Sequence, residues 1–397
     1  MGEFEALDLF DQVGIKSPFI PLFQRGRIGF LDANGKRFSS LSKREVGRDL
    51  EVKALVKKAK GKGQIELMDY PAPQVKEGYA LLRIEVAGIC GSDLKIYADD
   101  HPYFPPVILG HEFSGVIEEV GAGVQGWKKG DRVVSEVHGL VCGHCRFCLS
   151  GEKHVCPSKR ALGWGIDGGF AEYVNVPSWL LHRMPDGVSF EEAALMEPLA
   201  IAVHGILERA RIEPEDVVVV LGCGPIGLLA LQMAKAEGAS QVFITGVNMD
   251  EKLRLPMAKK LGADRTINVQ KDDPVDIVKG NTGGIGADLV IELSGSPAAI
   301  SQGLRMVRTH GRFLAIGIPV EPEVALPWKE IIFKAPSLIF HFSSCYSSWE
   351  RGLSLLGHRK VDVKSLISKV LPLKDWEEGF NLAKSGEAIK VLLRPGM

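Results

Sequence analysis

The sequence lacks a strong charge of either sign, a long apolar run and a basic leader segment. Its 48 Lys and Arg nearly balance 49 Asp and Glu, and the formal net charge of -1 argues against broad attraction to nucleic acid or anionic membrane. No stretch reaches the run of about 18 apolar residues that crosses a bilayer. We therefore expect a cytoplasmic protein that acts on a small molecule, without a nucleic-acid or membrane partner.

Cysteine is also scarce, at seven residues, which makes its placement informative. Four of the seven follow one another at the spacing of metal ligands, as Cys142, Cys145, Cys148 and Cys156. In a reducing compartment this pattern favours zinc over disulfides. Four thiolates close a tetrahedral shell, so we predict a structural zinc site with no position for substrate. A nucleic-acid-binding zinc ribbon would need a longer spacer and a basic surface, and the sequence has neither.

Length and patterning predict an α/β protein of two domains. From Val52 to about Pro185, short strands are separated by Gly and Pro, which indicates a β-rich domain. After Ser189, helical runs alternate with apolar strands, which predicts a doubly wound parallel sheet. The C-terminal segment is expected to return to the first domain. We therefore assign a catalytic domain to 52–198 and 341–397, and a dinucleotide-binding domain to 199–340.

Residues 1–51 differ from the rest of the chain. They carry short apolar and charged clusters with no clear period, and we assign them no chemistry. Our hypothesis is that the natural start lies near Val52 and that the preceding residues are a disordered or mis-assigned extension. Peptides from residues 1–45 in the mass spectrum of the natively expressed protein would contradict it.

A second metal site is predicted where Cys90 follows a strand and His111 with Glu112 comes next along the chain. A thiolate, an imidazole and a carboxylate form a ligand set suited to zinc. Three protein ligands leave a position open for water or substrate. The pattern therefore indicates a catalytic rather than a structural zinc ion.

The run Gly110-His-Glu-x2-Gly-x5-Gly-x2-Val124 resembles the signature of the zinc-containing medium-chain alcohol dehydrogenases. Gly130-Asp-x-Val133 and the four-cysteine loop follow in the same order as in that family. The resemblance covers about residues 52 to 397. It implies a β-rich GroES-like catalytic domain joined to a Rossmann coenzyme domain.

The resemblance also implies that Cys90, His111 and an acidic residue bind the catalytic zinc. Glu197 matches the position at which polyol and threonine dehydrogenases of this family carry Glu. Either Glu112 or Glu197 is then the direct ligand, or one of them acts through water. Zinc would polarise the alcohol oxygen and favour hydride release to a nicotinamide.

The family also implies a proton path that begins at the hydroxyl of Ser92. The next position of the path is commonly His, and this sequence has Lys95 there. An ordinary lysine is protonated at neutral pH and does not relay a proton as imidazole does. We expect Lys95 to be a solvated lysine.

A glycine turn from Gly222 to Gly227 follows the apolar strand 217–221 and opens a helix. This setting is typical of the dinucleotide fingerprint, in which the first glycine allows the turn, the second admits the pyrophosphate, and the third lets helix and strand pack closely. We assign cofactor binding to this turn, through Gly222, Gly224, Pro225, Ile226 and Gly227.

The acidic residue that usually ends the second strand is missing, because Gly246 follows Thr245. A Gly there leaves space for a 2′-phosphate beside Arg254, which would indicate NADP. Alternatively, Asp250 or Glu251 accepts the ribose hydroxyls and repels a phosphate, and we expect NAD on this ground.

Four further positions are assigned, two from the resemblance and two from their place in the chain. Lys390 matches a position where a basic residue meets the pyrophosphate, and an exposed charge is the alternative. Phe170 belongs to a segment that lines the pocket in the family, with core packing as the alternative. Tyr97 and His101 follow the Cys90 loop and are further candidates for the substrate side.

Together these features predict a zinc enzyme that moves a hydride between a secondary alcohol of the sorbitol or iditol type and NAD. A threonine 3-dehydrogenase, or another secondary-alcohol dehydrogenase or ketone reductase of the family, is the alternative. A zinc-independent reductase on the same scaffold would lack Cys90, His111 and the cysteine loop. The resemblance also implies a homodimer or homotetramer.

Overall fold

The computed structural model describes residues 51–396. The hypothesis about the N-terminal extension falls on residues 1–50 and lies outside the described residues. Within residues 51–396, every helix is too short or too polar to span a bilayer.

The described chain forms strands and helices that alternate more regularly toward the C-terminus. The strands are β1 (Glu51–Lys57), β2 (Ile65–Pro71), β3 (Tyr79–Gly88), β4 (Val107–Ile108), β5 (Glu112–Val120), β6 (Arg132–Ser135), β7 (Tyr173–Pro177), β8 (Leu181–Arg183), β9 (Val217–Leu221), β10 (Gln241–Gly246), β11 (Arg265–Asn268), β12 (Ala287–Glu292), β13 (Val307–Ala315), β14 (Ser337–Phe340), β15 (Ile367–Pro372) and β16 (Lys390–Arg394). The helices are α1 (Gly91–Ala98), α2 (Arg146–Leu149), α3 (Phe190–Ala193), α4 (Met196–Ala202), α5 (Pro225–Ala236), α6 (Arg254–Lys260), α7 (Pro274–Asn281), α8 (Pro297–Met306), α9 (Trp328–Lys334), α10 (Tyr346–Gly357) and α11 (Trp376–Ser385). Helix α4 continues as π-helical turns over Val203–Ala210.

The N-terminal half is built on a mixed sheet in the order β15-β16-β3-β5-β6-β8, with β7 also paired to β3. Strand β3 is central, and its side chains alternate between buried and half-buried positions, as expected for a strand with one face in a core. A smaller antiparallel sheet, β2-β1-β4, lies beside it. This sheet arrangement places the end of β3 beside the start of β5, where Cys90, His111 and Glu112, three of the residues predicted for the catalytic metal, lie.

A second sheet has six parallel strands in the order β11-β10-β9-β12-β13-β14. Its central strand β9 consists of four valines and a leucine, nearly all buried, as expected for a strand covered by helices on both faces. The chain order reverses between β9 and β12, and ligands bind at such a reversal at the carboxyl ends of the strands. The predicted α/β class with a doubly wound parallel sheet is confirmed.

The two C-terminal strands leave the parallel sheet and join the first one. Strand β16 pairs with β3, and β15 pairs with β16. This path supports the proposed division into 52–198 with 341–397 and 199–340, because the first unit is then completed by the end of the chain.

Candidate active site and metal centres

The four-cysteine loop brings its sulfurs together without forming a disulfide. The Sγ atoms of Cys142 and Cys148 lie 3.9 Å apart, those of Cys145 and Cys156 3.9 Å, and those of Cys142 and Cys156 3.6 Å. A tetrahedron whose corners lie about 2.3 Å from a central zinc ion has edges of about 3.8 Å. The observed separations therefore fit a closed zinc shell.

Backbone amides turn toward these sulfurs, as expected of a loop shaped to hold thiolates. The N–H groups of Cys145 and Cys148 donate to the preceding cysteine sulfurs at 3.4 and 3.5 Å. Backbone N–H groups of His144 and Cys145 lower the pKa of Cys142 to about 6. A thiolate is the form that binds metal, so these contacts support zinc binding at this loop.

The residues predicted for the catalytic metal also converge. Cys90 caps helix α1 directly after β3, while His111 follows Gly110 and Glu112 begins β5. Their ligand atoms lie within 4.8 Å of one another. Gly110 is needed in this turn because its φ is +89° and a Cβ there would lie 2.5 Å from the Phe170 ring.

Asp93, to which the sequence analysis assigns no role, contacts two residues of this group. Its fully buried carboxylate lies 3.6 Å from His111 Nδ1 and accepts a hydrogen bond of 2.9 Å from the Cys90 amide. Burial opposes the charge of His111, but the negative charge of Asp93 and the thiol of Cys90 raise the pKa of His111 above its usual value. A carboxylate on the far nitrogen of a metal-binding histidine fixes the ring, as in many zinc sites. The signal in the sequence was its place three residues after Cys90.

Glu112 is held by a cation from the other end of the chain. Lys390 on β16 forms a buried ion pair with Glu112 and donates to the Ile89 carbonyl at 2.9 Å. The ion pair passes over Gly88 of β3. Gly88 pairs with Glu112 of β5 on one side and with β16 on the other. Contact of Lys390 with a pyrophosphate stays a prediction, and the alternative of an exposed charge is wrong, since Lys390 is 3% exposed.

Glu197 at the start of α4 is buried beside the same group but outside the set of mutually close ligand atoms. Burial raises the pKa of Glu197 to about 7. The charges of Glu112 and Asp93 also raise it, whereas those of His111 and Lys390 lower it. Four acidic groups, three buried carboxylates and the Cys90 thiol, therefore surround only one lysine and one histidine among the residues named above. A divalent cation balances such a donor set, so the residues fit zinc.

Ser92 and Lys95 both lie on helix α1. Ser92 Oγ is 3.2 Å from His111 Nε2, close enough to exchange a proton with a group bound there. Lys95 is half-buried and donates to the Ile318 carbonyl at 3.1 Å, across to the segment after β13. The expectation of a solvated Lys95 stays a prediction, since this side chain is partly exposed beside its contact with the Ile318 carbonyl.

The glycine turn has the geometry of a phosphate-binding loop. Gly222 has a φ of +102°, and a Cβ on Gly224 would meet nothing within 4 Å, so the space before helix α5 is open. Pro225 begins α5, whose free N–H groups face that space. Thr245 Oγ1 accepts from the Gly222 amide at 3.2 Å and ties the turn to β10. These features fit the pyrophosphate of a dinucleotide.

At the end of β10, the carboxylate of Asp250 turns back toward Gly246. A Cβ on Gly246 would lie 3.1 Å from Asp250 Oδ2 and 2.7 Å from Cys223 Sγ. Arg254 Nη1 donates to Asp250 Oδ1 at 3.1 Å. Glu251 instead bonds to Asn268 and faces outward, so of the two acids considered for the ribose, Asp250 is the one at this position.

A cleft of about 520 Å³ opens between the first sheet's domain and the segments that follow β13 and β14. His101 lies in its wall, stacked on Trp164 at 4.2 Å, and its buried Nε2 has no partner among the described residues. Phe170 is fully buried and belongs to the core, which settles the alternatives left open for it. Tyr97 packs near Phe380, with ring centroids 6.2 Å apart, and does not line the cleft.

A third group of possible ligands was not foreseen from the sequence. His204, Glu208 and Cys345 place one ligand atom each within 4.8 Å of the others. Cys345 lies far along the chain from the helix that carries the other two, so no local spacing announced it.

Two family models match separate parts of the chain. Residues 76–186 match the family described as the alcohol dehydrogenase GroES-like domain, and residues 225–357 match the zinc-binding dehydrogenase family.

Curated relatives match along nearly their whole length. A sorbitol dehydrogenase of Halalkalibacterium halodurans is 41% identical, over 87% of this chain and 99% of its own. An L-threonine 3-dehydrogenase of Bacillus subtilis is 39% identical over the same shares. A D-arabitol-phosphate dehydrogenase of Enterococcus avium is 36% identical, over 86% of this chain and 97% of its own.

Solved structures are similar as well. A zinc-binding dehydrogenase of Sinorhizobium meliloti bound to NADP has a TM-score of 0.81 at 28% identity, over 87% of this chain and all of its own. The alcohol dehydrogenase of Thermus sp. ATN1 has a TM-score of 0.79 at 33% identity, over 86% and 99%.

Proposed function

The chain belongs to the zinc-containing medium-chain alcohol dehydrogenase family, and we propose that it oxidises a secondary alcohol of a polyol-like molecule with NAD as the hydride acceptor. The reverse ketone reduction uses the same groups. The observation that carries the proposal is the convergence of Cys90, His111 and buried carboxylates near the ends of β3 and β5.

In this proposal Cys90 and His111, with Glu112 or Glu197, hold the catalytic zinc, and the four-cysteine loop holds the structural one. Zinc at the first site supplies Lewis acidity that lowers the pKa of the substrate hydroxyl. Glu112 is already engaged by Lys390, whereas Glu197 makes no ion pair within the described residues, which favours Glu197 as the carboxylate free to bind metal. Asp93 positions His111 through the far ring nitrogen.

The chain's own polar groups then receive the proton and orient the reactants. The Ser92 hydroxyl, beside His111, would relay the proton of the substrate hydroxyl, accepting it while it passes its own proton on to water. The Gly222 turn and the N-terminus of α5 hold the pyrophosphate, which sets the nicotinamide at the carboxyl edge of the sheet. The aromatic side chains of Trp164 and Phe104 line the cleft.

The substrate class follows from what the relatives share. Proteins named for sorbitol, L-threonine and D-arabitol phosphate all match at similar identity, and all three named substrates carry a secondary alcohol. An L-threonine dehydrogenase is therefore the alternative within the same chemistry.

Formation of NADH and NADPH by the zinc-replete protein tests the proposal, with sorbitol, galactitol, L-threonine, butanediol and simple secondary alcohols as substrates. We expect turnover with NAD and its loss on treatment with a chelator. The Ser92→Ala variant should lose about 10²- to 10⁴-fold in kcat while keeping its zinc content and its Kd for the cofactor. A zinc-replete protein that oxidises no member of the panel contradicts the proposal.

The oligomer is a proposal of the same kind. Strand β14 is the outer strand of the parallel sheet, and Phe340 at its end is 71% exposed. On the neighbouring helix α9, Ile332 is 62% and Phe333 is 77% exposed. Exposed apolar side chains beside an open sheet edge favour association through that edge, so we propose a homodimer or homotetramer.

A further inference from the structure

The cleft beside the catalytic group has the size of a small-molecule site. Its wall is continuous with the segments that carry the predicted metal ligands. Helix α1 begins directly after Cys90 and carries Lys95 into the wall. Gly163, next to the lining residue Trp164, packs against the backbone of Gly110. A substrate whose carbinol carbon reaches the metal ligands therefore extends into this space.

The charge of the cleft wall is unbalanced. Lys95, Lys159 and Arg160 line it, against a single carboxylate, that of Asp100. Within residues 51–396 none of the three cations has an ion-pair partner, although most other arginines of that range do. Burial lowers the pKa of His101 to about 4, so that ring adds no charge at neutral pH.

The two lysines are held by neutral acceptors. Lys95 donates to the Ile318 carbonyl, and Lys159 donates to the His154 carbonyl at 2.7 Å and lies 3.4 Å from Ser343 Oγ. These contacts fix the ammonium groups in place without an ion pair among the described residues, and the charge of Glu197 acts on Lys159 from beyond ion-pair distance. An ammonium has three donors, so each lysine keeps at least one for a ligand.

Arg160 is oriented by an aromatic ring. Its guanidinium carbon lies 3.5 Å from the centre of the Phe104 ring, and both residues line the cleft. Stacking fixes the plane of the guanidinium while its N–H groups remain available at the edge. Such a fork suits the paired oxygens of an anion.

We infer that the alcohol substrate carries a phosphate monoester, bound by Arg160, Lys159 and Lys95, and this inference rests on the proposed dehydrogenase function. Three cations and one carboxylate leave an excess of about two positive charges, and a phosphate monoester carries about -1.5 to -2 at pH 7. A carboxylate, with one charge, leaves half of the excess unbalanced. A neutral polyol leaves all of it.

The first test compares sorbitol 6-phosphate with sorbitol, and D-arabitol 5-phosphate with D-arabitol, on the zinc-replete full chain. We expect kcat/KM to be at least ~100-fold higher for each phosphate, since charge-assisted hydrogen bonds of this kind contribute roughly one to two powers of ten each. A preference for the neutral polyol in an active enzyme overturns the inference and leaves the proposed function standing.

The second test changes the cations one at a time. Arg160→Gln should lower the phosphate-to-neutral ratio of kcat/KM by about tenfold or more, and Arg160→Lys should restore part of it. Lys153→Gln is the matched control, because Lys153 lies on the same loop with its ammonium over the Trp179 ring at 4.2 Å and does not line the cleft. This control should keep the wild-type ratio.

Other outcomes separate the competing ligands. If Arg160→Gln raises the KM for the cofactor and leaves the phosphate ratio unchanged, the cations serve the cofactor and the inference is overturned. If L-threonine or a sugar acid is preferred over every phosphate and that preference depends on Arg160, the anion is a carboxylate and the inference is again overturned.

Calorimetric binding of sorbitol 6-phosphate provides a readout that does not depend on turnover. If no substrate is oxidised but sorbitol 6-phosphate binds the wild type and binds Arg160→Gln at least ~10-fold more weakly, the proposed function fails and the anion site stands. If sorbitol 6-phosphate binds no better than sorbitol, the anion site fails.

Discussion

The carboxylate of Asp250 lies where a side chain on Gly246 would lie, 3.1 Å from the position of its Cβ. An acid could not stand at Gly246 itself, because that Cβ would be 2.7 Å from Cys223 Sγ. The loop after β10 therefore folds back and places the carboxylate of Asp250, four residues after Gly246, at the end of the strand. This geometry favours NAD, since a carboxylate there repels a 2′-phosphate.

The Asp250→Asn variant tests this relationship. An amide oxygen can still accept from the Val247 amide, which now donates to Asp250 at 2.9 Å, but the repelling charge is gone and Arg254 is released. We expect kcat/KM with NADP, relative to NAD, to rise about tenfold, equivalent to roughly 1.4 kcal/mol. Glu251→Gln is the control and should keep the wild-type ratio. A wild type that prefers NADP contradicts the argument.

A second prediction concerns Gly88, over which Glu112 and Lys390 meet. A Cβ at this position would lie 2.5 Å from Glu112 Oε2 and 3.0 Å from Lys390 Cε. Gly88→Ala should therefore force the pair apart and destabilise the fold by about 1–3 kcal/mol, measured by denaturant unfolding. Gly280→Ala, in helix α7 with nothing within 4 Å of its Cβ, should be neutral or slightly stabilising. Equal effects of the two substitutions would show that Gly88 is not needed for the ion pair.

A third prediction addresses the cysteine loop. Cys148→Ser removes one of four sulfurs from a shell that needs all of them, so zinc content by plasma mass spectrometry should fall from two ions per chain to one. We expect a Tm lower by ~5 °C or more, because metal binding contributes folding free energy. Cys345→Ser, outside both predicted zinc sites, should keep two ions. Two ions in Cys148→Ser would contradict the structural assignment.

A fourth prediction concerns Asp93. In Asp93→Asn an amide N–H can face His111 Nδ1, where a carboxylate now lies at 3.6 Å, and this favours the wrong tautomer of the ring. Affinity for the catalytic zinc, measured by competition with a chelator, should fall about 10- to 100-fold while the structural ion stays.

Asp131→Asn is the matched control for Asp93. Asp131 is also buried and also accepts from a backbone amide three residues earlier, that of Lys128 at 3.1 Å, but it pairs with Arg183 instead of a histidine. Its substitution should change stability and leave zinc affinity unchanged. Equal losses of zinc affinity in both variants would point to a general loss of folding.

The contacts that sequence reasoning anticipated are local ones. The four cysteines share one short loop, and the Gly222 turn joins one strand to one helix, so spacing alone carries the chemistry. The α/β class followed from strands and helices that alternate along the chain.

The contacts that it missed depend on packing between distant segments. Lys390 reaches Glu112 only because β16 is placed next to β3, and the cationic cleft exists only because the loop with Lys159 and Arg160 faces the segment after β13. The contact of Lys95 with the Ile318 carbonyl was not predicted, because nothing near Lys95 in sequence marks Ile318 as its acceptor. Such pairs have no local period or motif.

The last prediction concerns assembly. Strand β14 is the outer strand of the parallel sheet within residues 51–396, and Phe340 at its end is 71% exposed, so this edge presents apolar surface to water. Phe340→Lys places a charge at that edge, so its desolvation should oppose pairing of two copies. Light scattering behind size exclusion should show a dimer or tetramer for the wild type and a smaller species for the variant.

Ile285→Lys is the control for this test, because Ile285 is 68% exposed on a loop beyond α7 and lies outside any strand. It adds the same charge and removes a similar apolar side chain, so it should leave the assembly unchanged. A monomeric wild type would overturn the proposed oligomer. Dissociation by both substitutions would show that charge itself, rather than the edge of β14, controls association.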